Sequence, residues 1–119
     1  MRQFVERKNV VTPERVAIYQ KPFNNHLFSA GIGDWAFQFV VGCEKALSVD
    51  LESYWRFEIP VSIVWGELDQ ITLLSQAKDL QVLLSQSRLW VLPAVGHIPQ
   101  IEDPDLFNVI IPQVLQSFK

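Results

Sequence analysis

Asp69 and His97 each stand in a turn just after an apolar, strand-like run, reading Val61-Ser62-Ile63-Val64-Trp65-Gly66-Glu67-Leu68-Asp69 and Arg88-Leu89-Trp90-Val91-Leu92-Pro93-Ala94-Val95-Gly96-His97. A carboxylate beside an imidazole holds the ring in one tautomer and stabilises the imidazolium that forms when the ring takes a proton. His97 would then serve as general base and later as general acid, with Asp69 behind it and Gly96 giving the turn conformational freedom. The competing interpretation is an ordinary turn aspartate and an ordinary turn histidine.

For the pair to meet, the two runs must be neighbouring strands whose carboxyl ends open on one side, the place where functional groups collect in an open parallel sheet. Pro60 introduces residues 61–65, which are apolar apart from Ser62 and show no period-2 alternation, as expected of a parallel strand buried on both faces. Residues 72–85 have Leu73, Ala77, Leu80 and Leu84 at helical spacing, with Leu74 and Leu83 widening the stripe and Gln76, Lys78 and Gln81 on the outer side. Leu89 to Leu92 is the next apolar run, so residues 61–92 have the length of a strand, crossover helix and parallel strand. Asp103-Pro104 caps a last helix with a stripe of Leu106, Phe107, Ile110, Ile111, Val114, Leu115 and Phe118, which Pro112 should kink or divide.

The first half reads differently. Thr12-Pro13-Glu14 is an N-cap, a proline at the first helical position and an acid in the first turn, opening a helix toward Tyr19 that Pro22 closes. Residues 23–33, with Asn24-Asn25 and Gly31-Ile32-Gly33, predict irregular chain. Asp34 then caps a helix from Trp35 to Leu47 whose apolar residues Trp35, Phe37, Phe39, Val40, Val41, Cys43, Ala46 and Leu47 wrap most of its circumference and require cover on several sides. A short helical segment over 51–57 follows, and composition shifts near Glu58-Ile59-Pro60 from helical and aromatic to alternating α/β.

Composition narrows the function classes. Ten basic against thirteen acidic residues, with no Lys/Arg cluster long enough to follow a phosphate backbone, argue against a nucleic-acid partner. The single cysteine, Cys43, excludes an internal disulfide and a cysteine-based zinc site, and with two histidines at no ligand spacing neither a metal nor another cofactor is expected. No apolar run approaches the roughly 20 residues needed to span a bilayer, and the N-terminus lacks a signal-peptide core, so no membrane partner and a cytoplasmic location are expected. A chain of 119 residues that is 49% hydrophobic is globular rather than disordered.

Residues 59–118 resemble the C-terminal part of an α/β-hydrolase fold enzyme: Ile59 to Asp69 resembles the family's penultimate strand and acid turn, and Leu92 to Asn108 its histidine loop and last helix. The order acid then histidine is the one that fold requires. The resemblance implies that Asp69 is the triad acid and His97 the triad base. More weakly, Thr12-Pro13-Glu14 and Tyr19-Gln20-Lys21-Pro22-Phe23 resemble part of the helical cap of haloalkane dehalogenases, epoxide hydrolases and their esterase relatives. The expected fold class is therefore α/β, a partial hydrolase fold with a cap-like segment over 1–57 and the end of the core over 58–119.

The departure from the family is the nucleophile. No G-x-S-x-G elbow occurs: Ser29 lacks the first glycine and a preceding strand, and after Gly42-Cys43 the bulky Lys45 stands where a small residue is needed. The early strands and the oxyanion loop are absent too, so the chain alone should be almost inert as a hydrolase. Two parallel strands are too few for a stable sheet, which suggests completion by N-terminal sequence, missing from a truncated chain or supplied by a separate one, or self-association through the unpaired edge. The completed site would hydrolyse a small ester-like, epoxide or halide substrate, with Trp35, Phe39 and Ile98 as candidate substrate contacts. For the two aromatics, plain cap-to-core packing is an equal alternative. For the whole chain, the alternative is a noncatalytic remnant or interaction module of the same fold. Among the other polar residues, Glu67 is a solvated turn residue or an alternative acid, Glu102 a support for the histidine loop or last helix, His26 a loop histidine, and Trp65 and Trp90 core.

Overall fold

A computed structural model describes residues 3–25, 28–41 and 49–118. The chain divides into two compact units, Thr12–Arg56 and a second made of Met1–Val11 with Phe57–Lys119.

The first unit is helical. Helix α1 (Pro13–Gln20) begins as its capping residues dictate, the Thr12 hydroxyl oxygen accepting the Arg15 N–H at 3.3 Å. The α-helix ends at Gln20, ahead of Pro22 as expected, and the chain continues into a 3-10 turn, Lys21–Asn24, near whose start Pro22's missing N–H leaves no bond unmade. Helix α2 (Phe28–Val41) starts earlier than Asp34, so residues 28–33 are helical rather than irregular and Asp34 lies inside the helix instead of capping it. A β-carbon at Gly31 or Gly33 would meet nothing within 4 Å. Those glycines weaken the helix by roughly 1 kcal/mol each relative to alanine without breaking it, since a nucleated helix propagates through them.

Cover over α2 is thinner than its sequence asks for. Trp35, Phe37, Val40 and Val41 stay more than half exposed; α1 and α3 (Leu51–Trp55), at 8 and 5 residues, are too short to enclose a helix of 14. Asp50 caps α3 by accepting the Glu52 N–H at 3.1 Å. His26, Cys43, Ala46 and Leu47 lie outside the described residues.

The second unit holds the sheet. Strands β1 (Val61–Gly66) and β2 (Ser87–Leu92) pair in parallel, in register from Val61 opposite Ser87 to Gly66 opposite Leu92, and helix α4 (Leu74–Leu83) connects them. Among the described residues these two strands form the whole sheet, a mixed α/β arrangement with one small parallel layer. Its core is Val5, Ile63, Ala77, Leu84, Leu92, Val95 and Val114. With few neighbours to cover them, Trp65 and Trp90 are half-buried rather than core. Leu73 precedes the first turn of α4 and is exposed, so the buried stripe of that helix narrows to Ala77 and the capping Leu84.

After β2 the chain forms a short helix α5 (Pro99–Glu102) and then α6 (Pro104–Gln116), capped by the Asp103 carboxylate accepting the Leu106 N–H at 2.9 Å. Pro112 lies within α6 without dividing it. Val114 is buried, while Leu115 and Phe118 of the expected stripe are exposed. Among the described residues no helix is long and apolar enough to cross a membrane.

One association has no local signal in the sequence. The N-terminal residues 3–11, ending in a 3-10 turn Lys8–Val10, belong with the sheet and not with the helices that follow them, and Val5 is buried there.

Candidate functional site

The ends of β1 and β2 are joined beyond the ladder. Glu67 N–H donates to the Leu92 carbonyl and Leu68 N–H to that of Val95, both at 2.9 Å, so the acid turn and the histidine loop advance together. Gly66 makes this approach possible: a β-carbon there would lie 2.0 Å from the Gly96 carbonyl oxygen and 2.7 Å from that of Val95. Gly96 is needed for space rather than for a left-handed conformation, since its φ is not positive and a β-carbon would come within 3.0 Å of Glu102 Oε1 and of Glu6 N. The left-handed residue of the loop is Ala94, at φ 56°. Its N–H donates to Glu67 Oε2 at 3.1 Å and its carbonyl accepts from Arg7 Nε at 3.2 Å, bonds that offset the roughly 1 to 2 kcal/mol an L-residue costs in that region. Glu67 is thus a loop tie, and the carboxylate that meets His97 is Asp69.

Asp69 Oδ2 lies 2.9 Å from His97 Nδ1. The carboxylate also accepts the Thr72 hydroxyl at 2.8 Å on Oδ2, and the N–H groups of Ile71 and Thr72 at 2.8 and 3.0 Å on Oδ1. Burial pushes this carboxyl up, yet the hydrogen bonds from His97, from the Thr72 N–H and hydroxyl and from the Ile71 N–H together outweigh it and hold it below the ordinary aspartate range. An ionised carboxylate only accepts, so Nδ1 must carry the proton. The Thr72 hydroxyl, which points its hydrogen at Asp69, lies with its oxygen 3.2 Å from Nδ1 and is a second acceptor for the ring N–H. Nε2 of the neutral ring is therefore an unprotonated base, with no hydrogen-bond partner among the described residues. The Asp69 side chain is 4% exposed and that of His97 32%, so the carboxylate is enclosed while one edge of the ring is open to solvent.

Val64, Trp65, Gly66, Asp69, Thr72 and His97 line a cleft of about 160 Å³. Ligand pockets usually measure about 300 to 1,000 Å³, so this cleft is smaller than a usual one. Trp65 is fixed as its apolar wall by a hydrogen bond from Nε1 to the Thr72 carbonyl at 2.9 Å.

The structure brings Asp69 and His97 together. Ile98, next to His97, is half-buried and does not line the cleft. Trp35 belongs to the helical unit, where it is 61% exposed on α2, and the side chain of Phe39 lies outside the described residues, as does that of Ser29. Sequence reasoning missed Thr72, although a threonine three residues after a turn aspartate is a local signal for a side chain folding back on a carboxylate. It also missed Phe4, whose ring lies 5.9 Å from that of His97 and whose carbonyl accepts the His97 N–H at 3.1 Å. Among the described residues no cluster of three or more His, Cys, Asp or Glu is placed to hold a metal ion. No protein-family model, curated protein or solved structure matches the chain.

Proposed function

We propose that this chain is the C-terminal part of an α/β-hydrolase and supplies the acid and base of a triad whose nucleophile comes from other sequence. The observation that carries the proposal is the 2.9 Å Asp69–His97 contact at the carboxyl ends of adjacent parallel strands, with the acid preceding the base in the chain. The undersized cleft agrees with a site to be completed by further walls.

In the completed site the nucleophile attacks an ester-like, epoxide or halide substrate and forms a covalent intermediate as the ester C–O, ring C–O or carbon–halogen bond breaks; where the nucleophile is a serine, its proton passes to His97 Nε2 and on to the departing alkoxide. His97 Nε2 then takes a proton from water, whose oxygen attacks the intermediate, and returns that proton to the departing group. Asp69 stabilises the imidazolium between these events, and Thr72 keeps the carboxylate turned toward the ring. A serine nucleophile makes the enzyme an esterase, and a carboxylate nucleophile makes it a dehalogenase or epoxide hydrolase. Small soluble substrates and a single unpaired cysteine suit a cytoplasmic setting.

Complementation tests the proposal. The chain is mixed with the N-terminal half of a related hydrolase and assayed for hydrolysis of an aryl ester, an epoxide and a haloalkane. Activity that His97→Ala abolishes is the expected outcome. Assembly with no activity on any of the three would instead favour a noncatalytic module.

A further inference from the structure

Glu102 is a charged side chain with little contact with solvent, 3% exposed, and its two oxygens accept three backbone N–H groups from two distant parts of the chain. Oε1 takes the Gly96 N–H at 2.9 Å, while Oε2 takes those of Glu6 at 2.7 Å and Arg7 at 3.0 Å. In the next peptide along, the His97 N–H donates to the Phe4 carbonyl at 3.1 Å. The Gly96–His97 backbone is therefore gripped from both ends, by Glu102 directly and by the N-terminal segment that Glu102 holds. Two exposed bonds of Arg7 reinforce the grip, Nε to the Ala94 carbonyl at 3.2 Å and the guanidinium to Asp103 at 2.7 Å, and the buried Val5 anchors it.

We infer that Glu102 is a positioning residue for His97, and that residues 3–7 form a strap through which it holds the imidazole against Asp69 in the Nδ1–H tautomer. Among the described residues, the ring's hydrogen bonds to Asp69 and Thr72 are what select a tautomer, and they depend on the Gly96–His97 backbone keeping its place. Glutamine at position 102 retains one accepting oxygen for three donors. With that oxygen toward the strap, its NH2 opposes the Gly96 N–H and frees the loop; turned the other way, it opposes the Glu6 and Arg7 N–H groups and frees the strap. Either orientation loosens His97. The inference deepens the hydrolase proposal by naming what holds its base, and its test uses no substrate, so either can fail without the other.

The test is nitrogen-15 NMR on the full chain at about pH 8, where a free imidazole is neutral. In the parent, the two His97 ring nitrogens should report a protonated Nδ1 and an unprotonated Nε2. In Glu102→Gln, amide exchange at Glu6, Arg7 or Gly96 should quicken by about tenfold or more, and both ring-nitrogen signals should move toward the tautomer average of free imidazole. Arg7→Ala, which alters an exposed side chain and leaves Glu102 intact, should move them the same way by less and decides the matter if Glu102→Gln does not fold. Faster amide exchange with unmoved ring signals would make Glu102 and the strap structural only. Unchanged amide exchange would deny the clamp itself.

Discussion

Gly66→Ala should separate the strand ends that hold Asp69 against His97, and its effect can be worked from the geometry. The new methyl would start 2.0 Å from the Gly96 carbonyl oxygen, so that oxygen must retreat by about 1.4 Å to reach the 3.4 Å of ordinary contact. The Asp69–His97 bond, at 2.9 Å, has only about 0.3 Å of slack before it leaves the usual range. Because the displaced peptide leads directly into His97, the required shift exceeds that slack severalfold and the bond should break. Overpacking costs about 1 to 3 kcal/mol and a lost charge-assisted hydrogen bond about 1.5 to 3; the two share a cause, so a combined loss of about 3 kcal/mol is expected. With a urea dependence of about 1.5 kcal/mol per molar, the unfolding midpoint followed on amide signals of β1 and β2 should fall by about 2 M. The His97 ring nitrogens should lose their single-tautomer signature at the same time. Gly31→Ala is the control, since an added β-carbon there meets nothing within 4 Å and helix α2 should gain up to about 1 kcal/mol. A Gly66→Ala protein within about 0.5 kcal/mol of the parent, with its ring signals unmoved, would refute the argument that this glycine sets the spacing.

Three further outcomes are expected. Thr72→Val keeps the N–H bond to Asp69 but removes the hydroxyl's, so the Asp69 carboxyl should titrate higher and the protein should lose about 1 to 2 kcal/mol at neutral pH, measured by carbon-13 titration and urea unfolding. Asp69→Asn presents an NH2 that favours the opposite ring tautomer: Nε2 should carry the proton in this chain, and turnover in the complemented enzyme should fall by about 10⁴ while assembly is retained. A folded carboxyl held below its unfolded value contributes stability that is complete above the unfolded pKa, about 3.9 for aspartate, and is lost as pH falls through the folded value. Asp103, lowered by the Leu106 N–H and by Arg7, adds to the same acid limb. The urea midpoint should therefore drop below about pH 4, and less steeply in Asp69→Asn; an equally steep drop in that variant would remove Asp69 from the explanation.

Where capping and patterning act locally, structure was legible in the chain. Thr12 and Asp103 start helices because a short polar side chain can reach an N–H three residues away, whatever the rest of the molecule does. Uncharged runs over 61–66 and 89–92 form parallel strands, and turns that follow such strands place Asp69 and His97 at their open ends. Residues 28–33 defeated local reading because glycines that usually signal a loop were carried by a continuing helix.

The sequence by itself determined the two strands, their capped helices and which carboxylate and imidazole stand at the strand ends, since these depend on neighbours a few residues apart. Tertiary structure alone decided that Gly66 and Gly96 must lack side chains and that Trp65 walls a cleft instead of filling a core. It also decided that Glu6 and Arg7 reach the loop of His97 through a carboxylate 96 and 95 residues away, and that the Phe4 carbonyl accepts the His97 N–H directly. Glu102 was legible as a support for the histidine loop, but backbone N–H groups carry no residue type, so its partners in residues 6–7 leave no pattern in the sequence and are met only once the fold has brought the two segments together.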